Sequence, residues 1–158
     1  HVPGWLRWRL EKEGGFELLS SAGHFIYSTG LHHWEELGQI SSKAFSSPDY
    51  AYVLVSPLLN SLSKLGYKSN PALWQIPEQV ICGAMSGRNN MGNNVKLIAM
   101  GGIQQADLQA VFNAGFGGAA MLGGIWPQLT GNSIQQWTGA VNLQFKKCQH
   151  VWEQLNKI

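Results

Sequence analysis

Charge is scarce in this chain. Lys and Arg number 11 and Asp and Glu 9 among 158 residues, so 13% are charged and the net charge is +2. That balance carries no basic excess for nucleic acid, and it gives no support to an extended disordered tail. The one dense charged cluster, Arg7-Trp8-Arg9-Leu10-Glu11-Lys12-Glu13, mixes signs and reads as a solvated helix face. Cysteine is scarce too. Cys82 and Cys148 stand far apart with no CxxC spacing. A reduced, cytoplasmic protein is expected, although counting alone leaves one disulfide open. No apolar run has the length of a membrane span and no signal peptide is visible, so no membrane partner is expected. The five histidines form no HExxH, and no three of them have metal-ligand spacing, so a structural zinc site is not expected.

Apolar residues and glycine are plentiful. The chain is 44% hydrophobic with 19 Gly and 7 Trp, enough for one core. Apolar runs that read as strands recur at His24–Ser28, Tyr50–Val55, Leu97–Met100 and Ala119–Leu122. The run at 50–55 is nearly continuous, as in a buried parallel strand. Helical patterns fall between and after these runs. They cover Trp5–Glu13, a start at His33–Leu37 with Glu35 and Glu36 in its first turn, Pro71–Met85 interrupted near Pro77, Asp107–Ala114, and Gly139–Asn156. Leu58–Ser69 is a polar loop able to carry function, Ser86–Asn94 (SGRNNMGNN) is another loop, and Pro127–Thr138 reads as polar connection. Such alternation predicts an α/β fold. A closed eight-stranded barrel needs roughly 200 to 250 residues, so the pattern fits an open sheet or the later part of a barrel.

Leu97–Trp126 is the most informative stretch. It reads as strand, glycine turn, helix, strand and glycine turn, with Gly101-Gly102 and Gly123-Gly124 closing the two strands. Glycine lets backbone amides approach an anion without an intervening Cβ. Two such turns on neighbouring parallel strands suggest a phosphate pocket. The plainer alternative is that all four glycines serve tight turns only.

FIYSTGLHHWEEL, YVLVSPLLNSLSKLGYKS, KLIAMGGI and GFGGAAMLGGIW together resemble the thiamine-phosphate synthase and thiazole tautomerase superfamily, in order and spacing. The resemblance runs from about Gly23 to Trp126 and is most specific in SPLLNSLSKLGYKS and the paired glycine turns. It implies a TIM (β/α)8 barrel, of which this chain matches roughly strands 4 to 8 as a single domain. His1-Val2 would end strand four, and strands one to three are absent from the sequence. The implied activity is a transferase that joins a pyrimidine methyl pyrophosphate to a thiazole phosphate and releases pyrophosphate. The implied cofactor is Mg²⁺. Synthases of the family carry an Asp shortly after the strand-four His, whereas here Pro3-Gly4-Trp5-Leu6-Arg7 follows, and that departure weighs against metal binding. The tautomerase branch instead shifts a thiazole carboxylate phosphate by acid–base chemistry and needs no metal. A non-catalytic phosphate-ligand binding protein is the third reading. A small phosphorylated heterocycle is the expected partner, with a homodimer as a further expectation.

The resemblance assigns residues as well. Gly101, Gly102, Gly123 and Gly124 would hold the phosphate, with Ser61 and Ser63 adding hydroxyls and Ile103 and Ile125 walling the pocket. Lys64 would add a compact positive charge and Asn60 a hydrogen bond to a ring heteroatom. His32 would move the proton, and imidazole suits that task near neutral pH. Ser28 and Thr29 would face the same rim. Gly66 and Tyr67 would shape the loop. His33, His24 and His150 read as surface or structural residues, His1 matches the strand-four His, and Asp107 reads as a helix-start residue. Trp126 and Trp137 would line the ring mouth or, more in keeping with aromatics, dock a helix.

Overall fold

The computed structural model describes residues 12–13, 27–36, 50–62, 64, 66–78, 96–126 and 133–157. Its centre is a four-stranded sheet of β1 (Tyr27–Leu31), β2 (Tyr50–Val55), β3 (Lys96–Met100) and β4 (Gly118–Ala120). The strands lie side by side in chain order and every neighbouring pair is parallel. Parallel neighbours need a crossover. Between β3 and β4 it is a 3-10 turn, Gln105–Asp107, running into helix α1 (Leu108–Asn113). A long helix, α2 (Ile134–Leu155), follows β4. Among the described residues no helix is long and apolar enough to cross a membrane.

Register decides which side chains are buried. Leu31 pairs with Val55, Val53 with Leu97, and Val55 with Ala99, so these residues share one face of the pleat. That face is dry and packs in a single apolar cluster with Leu108 and Val111 of α1, with Phe116 just before β4, and with Cys148 of α2. Phe112 and Trp152 add an edge-to-face ring contact at 5.7 Å. The opposite face is less covered. Tyr52 is 37% exposed, and Leu54, Ile98 and Met100 are half-buried. The apolar run at 50–55 therefore fills one face fully and the other only in part.

Element positions differ from the sequence expectation in several places. β4, expected at Ala119–Leu122, is Gly118–Ala120, the stretch that pairs with Ile98–Met100. β1 runs three residues further, to Leu31, because Thr29, Gly30 and Leu31 pair with Val53, Leu54 and Val55 of β2; the expected residues 24–26 lie outside the described residues. α2 begins at Ile134 rather than Gly139. Ser133 Oγ accepts from the Gln136 amide at 3.3 Å, and Gln136 Oε1 accepts from the Ser133 amide at 3.0 Å. This reciprocal cap makes a helix start out of what reads as polar connection. At 71–85 the described part is a 3-10 turn, Pro71–Trp74, capped by Asn70. The helical readings at 5–11 and 79–85 lie outside the described residues, as does the loop at 86–94.

Candidate functional site at the carboxyl ends of the strands

The rim is built by chain crossing. Beyond β2, the Ser56 amide donates to Leu31 O at 2.9 Å, tying this segment to the end of β1. Two residues on, Leu58 N donates to Met100 O at 3.0 Å and Leu59 N to Gly101 O at 3.1 Å, so the segment passes over the end of β3. The β3 turn must then be thin and left-handed. Gly101 has φ 103° and Gly102 φ 65°. A Cβ on Gly101 would lie 2.9 Å from Pro57 Cα, and one on Gly102 would overlap the Asn60 carbonyl oxygen. Glycine is required at both positions for backbone reasons before any ligand is considered.

Between the β3 and β4 turns lies a cavity of about 230 Å³, whose walls include Ser61, Leu62, Gly101, Gly102, Ile103 and Gly123. Water occupies about 30 Å³ in the liquid, so the space suits a phosphate group with part of its tether. The amides of Gly101, Gly102 and Gly123 have no hydrogen-bond partner among the described residues. Unspent amides on a concave surface are anion donors. Ser61 is held in place: its amide donates to Tyr67 O at 3.0 Å and its Oγ accepts from Lys64 N at 3.0 Å. The Lys64 ammonium rests 5.9 Å from the centre of the Tyr67 ring, a cation–π contact on the same loop.

The β1 end carries His32. Its Nδ1 lies 2.8 Å from Ser56 O. A carbonyl only accepts, so Nδ1 carries the proton and Nε2 is left as the basic nitrogen. The His32 and His33 amides both donate to Glu36 Oε1, at 3.0 and 2.9 Å. The His32 carbonyl accepts from Asn70 Nδ2 at 3.1 Å. Side chain and backbone of this exposed residue are thus both held. Residue type alone does not single out Asn70 or the Ser56 carbonyl. The Asn70-Pro71 step was a legible helix-start signal, but nothing in it points to a partner 38 residues away.

The other expected residues are spread out. Gly124 lies outside the cavity, with its Cα against the backbone of the β3 turn: a Cβ there would sit 2.5 Å from Ile103 O. Ile125 lines a separate, apolar groove of about 560 Å³ between β4 and α2. Asn60 Oδ1 accepts from Ser69 N at 2.9 Å and so closes the base of its loop. Ser28 and Thr29 are 3% and 0% exposed within β1, on opposite faces of the strand, and neither lines the cavity. Ser63, His1 and His24 lie outside the described residues. Trp126 and Trp137 stack on each other at 4.6 Å, which docks the start of α2 against the β4 turn. Asp107 Oδ2 accepts from the Gln104 amide at 2.8 Å, a helix-start role.

Mg²⁺ takes oxygen ligands, carboxylates foremost. No carboxylate lines the cavity, and no three His, Cys, Asp or Glu residues gather as a metal group among the described residues. Glu36 and Asp107 each spend a carboxylate oxygen on backbone amides. This donor set does not fit Mg²⁺.

Comparison with solved structures gives a likeness of fold. The chain is similar to the crystal structure of thiamine phosphate pyrophosphorylase from Bacteroides thetaiotaomicron, at 22% identity and a TM-score of 0.50. The likeness covers 80% of this chain and 52% of that one, so the chain spans about half the length of the structure it matches. No family model and no curated protein matches. At this identity the likeness establishes fold. The four parallel strands with their helices match part of that fold and are consistent with a partial (β/α) barrel core.

Proposed function

We propose that the chain acts on a phosphorylated thiazole held across the carboxyl ends of its strands, with the phosphate in the cavity between the two glycine turns. The observation that carries this reading is that, among the described residues, the amides of Gly101, Gly102 and Gly123 have no partner and no carboxylate lines the 230 Å³ space beside them. An anion gains donors there and meets no like charge.

His32 lies at the end of β1 and the cavity at the ends of β3 and β4. With strands about 4.8 Å apart, the two are separated by roughly 10–14 Å. A bare phosphate cannot reach both. An elongated molecule with its phosphate at one end and a reactive ring at the other can. The resemblance to thiamine-phosphate synthases implies that the reaction is a transfer. The thiazole nitrogen forms a bond to the methylene carbon of a pyrimidine methyl pyrophosphate, the carbon–oxygen bond breaks, and pyrophosphate leaves with the electron pair. Lys64, released from Tyr67, would meet the charge on the leaving group. No step is assigned to Mg²⁺, because the donor set does not suit it.

His32 favours a second reaction at the same site. Its fixed Nδ1 proton leaves Nε2 free to take a proton from one position of a thiazole carboxylate phosphate and return it at another. The test is binding and turnover of the two substrates side by side. Product from the pyrimidine and thiazole pair supports transfer. Isomerisation that is lost in His32→Asn supports proton transfer. Binding of thiazole phosphate without either reaction leaves only a phosphate-ligand binding protein. No binding of thiazole phosphate contradicts the proposal as a whole.

A further inference from the structure

We infer that Asn70 is a positioning residue for His32, fixing both the ring and the carbonyl that holds it. The inference rests on the acid–base reading of His32. Asn70 makes four hydrogen bonds with distinct tasks. Its Oδ1 accepts from Ala72 N at 3.2 Å and its carbonyl from Leu73 N at 3.1 Å, and together these start the 3-10 turn. Its amide donates to Pro57 O at 2.8 Å, one residue beyond the carbonyl that holds the His32 ring. Its Nδ2 donates to the carbonyl of His32 itself, at 3.1 Å.

Capping explains only part of this residue. A cap needs a side-chain acceptor, and Ser or Asp would serve as well as Asn. The amide donor is surplus to that task, and it is spent on His32. One residue therefore holds both the segment that carries the acceptor, Ser56-Pro57, and the backbone of the imidazole that donates to it. The imidazole keeps its Nδ1–Ser56 O bond only while these two segments keep their spacing. Trp34 Nε1, donating to Ala72 O at 3.0 Å, ties the same turn to the same rim and would keep it docked in an Asn70 variant.

Asn70→Ser keeps an acceptor for the cap and removes the donor to His32. Asn70→Ala removes both. Long-range proton–nitrogen spectra of the imidazole, at a pH where the ring is neutral, read the tautomer directly. The full chain should carry its proton mainly on Nδ1. Asn70→Ser should lose that preference while melting within a few degrees of the parent, and its kcat for isomerisation should fall about 10- to 100-fold with KM little changed. If Asn70→Ser keeps both the Nδ1 tautomer and the parent kcat while Asn70→Ala does not, Asn70 is a cap and the inference is overturned. If His32→Asn retains turnover, the acid–base reading fails instead. The tautomer measurement still decides whether Asn70 orients the ring.

Discussion

The two glycine pairs are alike in sequence and unlike in physics. Gly101-Gly102 is left-handed at both residues and lies beneath the segment that leaves β2. Gly123-Gly124 has no left-handed residue. Gly124 is crowded by backbone, at Ile103 O, while Gly123 is crowded only by the Leu62 side chain, 49% exposed on its loop. Three of the four glycines are thus demanded by chain crossing, and the fourth has room to give. Any phosphate pocket here is a by-product of close backbone packing that leaves amides unspent. Its donors and its stability are the same atoms at the first turn and separable at the second.

Substitution by alanine should rank three of them accordingly. Gly102→Ala combines a left-handed backbone with overlap of the Asn60 carbonyl, and should cost on the order of 3 kcal/mol or more in urea unfolding. A loss below about 1 kcal/mol would break the comparison at its strongest point. Gly124→Ala has no φ penalty but meets Ile103 O at 2.5 Å, and should cost about 1–3 kcal/mol. Gly123→Ala places its Cβ 3.0 Å from Leu62 Cβ, on a loop that can shift. It should stay within about 1 kcal/mol of the parent in stability, yet bind thiazole phosphate roughly tenfold more weakly by calorimetry. Equal losses of stability at Gly123 and Gly102 would mean that the turns do not differ.

The smallest effect belongs to the other side of the sheet. Burial raises the Cys148 thiol above its ordinary value of 9.0, and the residue is 6% exposed. The folded state then holds the proton more tightly than the unfolded chain. The resulting stabilisation is complete below about pH 9 and is lost as pH climbs from the unfolded value through the folded one. Thiol reagents should modify Cys148 only slowly at pH 7.5. Saturating thiazole phosphate should leave that rate unchanged if the apolar groove lined by Cys148 is independent of the phosphate cavity.

Much of the fold was legible because apolar runs mark parallel strands. Tyr50–Val55 and Lys96–Met100 lie where their hydrophobicity puts them. β1 reaches Leu31 because pairing with β2 carries it past Ser28, which the polar and glycine residues at 28–30 do not reveal. The start of α2 was hidden by exposure. Ile134 is 82% exposed, so no apolar stripe marks the first turn, although Ser133 and Gln136 carry the capping box. At the site, glycine pairs announce close approach but not what approaches. The β2 loop that crowds three of them is distant in sequence. His32 was legible through the resemblance, whereas its partner at Ser56 is a backbone carbonyl, which residue type does not encode, and Asn70 reaches it with a side-chain Nδ2 donor from 38 residues away.

The central claim is that the cavity between the two glycine turns receives a phosphate. It is tested most directly by titrating the uniformly nitrogen-15-labelled chain with thiazole phosphate and following the backbone amides. The account predicts saturable downfield shifts at Gly101, Gly102 and Gly123, little change at Gly124 or along α2, and no comparable response to the dephosphorylated thiazole. Unchanged Gly101, Gly102 and Gly123 amides in the presence of bound ligand, or equal responses to both thiazoles, would contradict it.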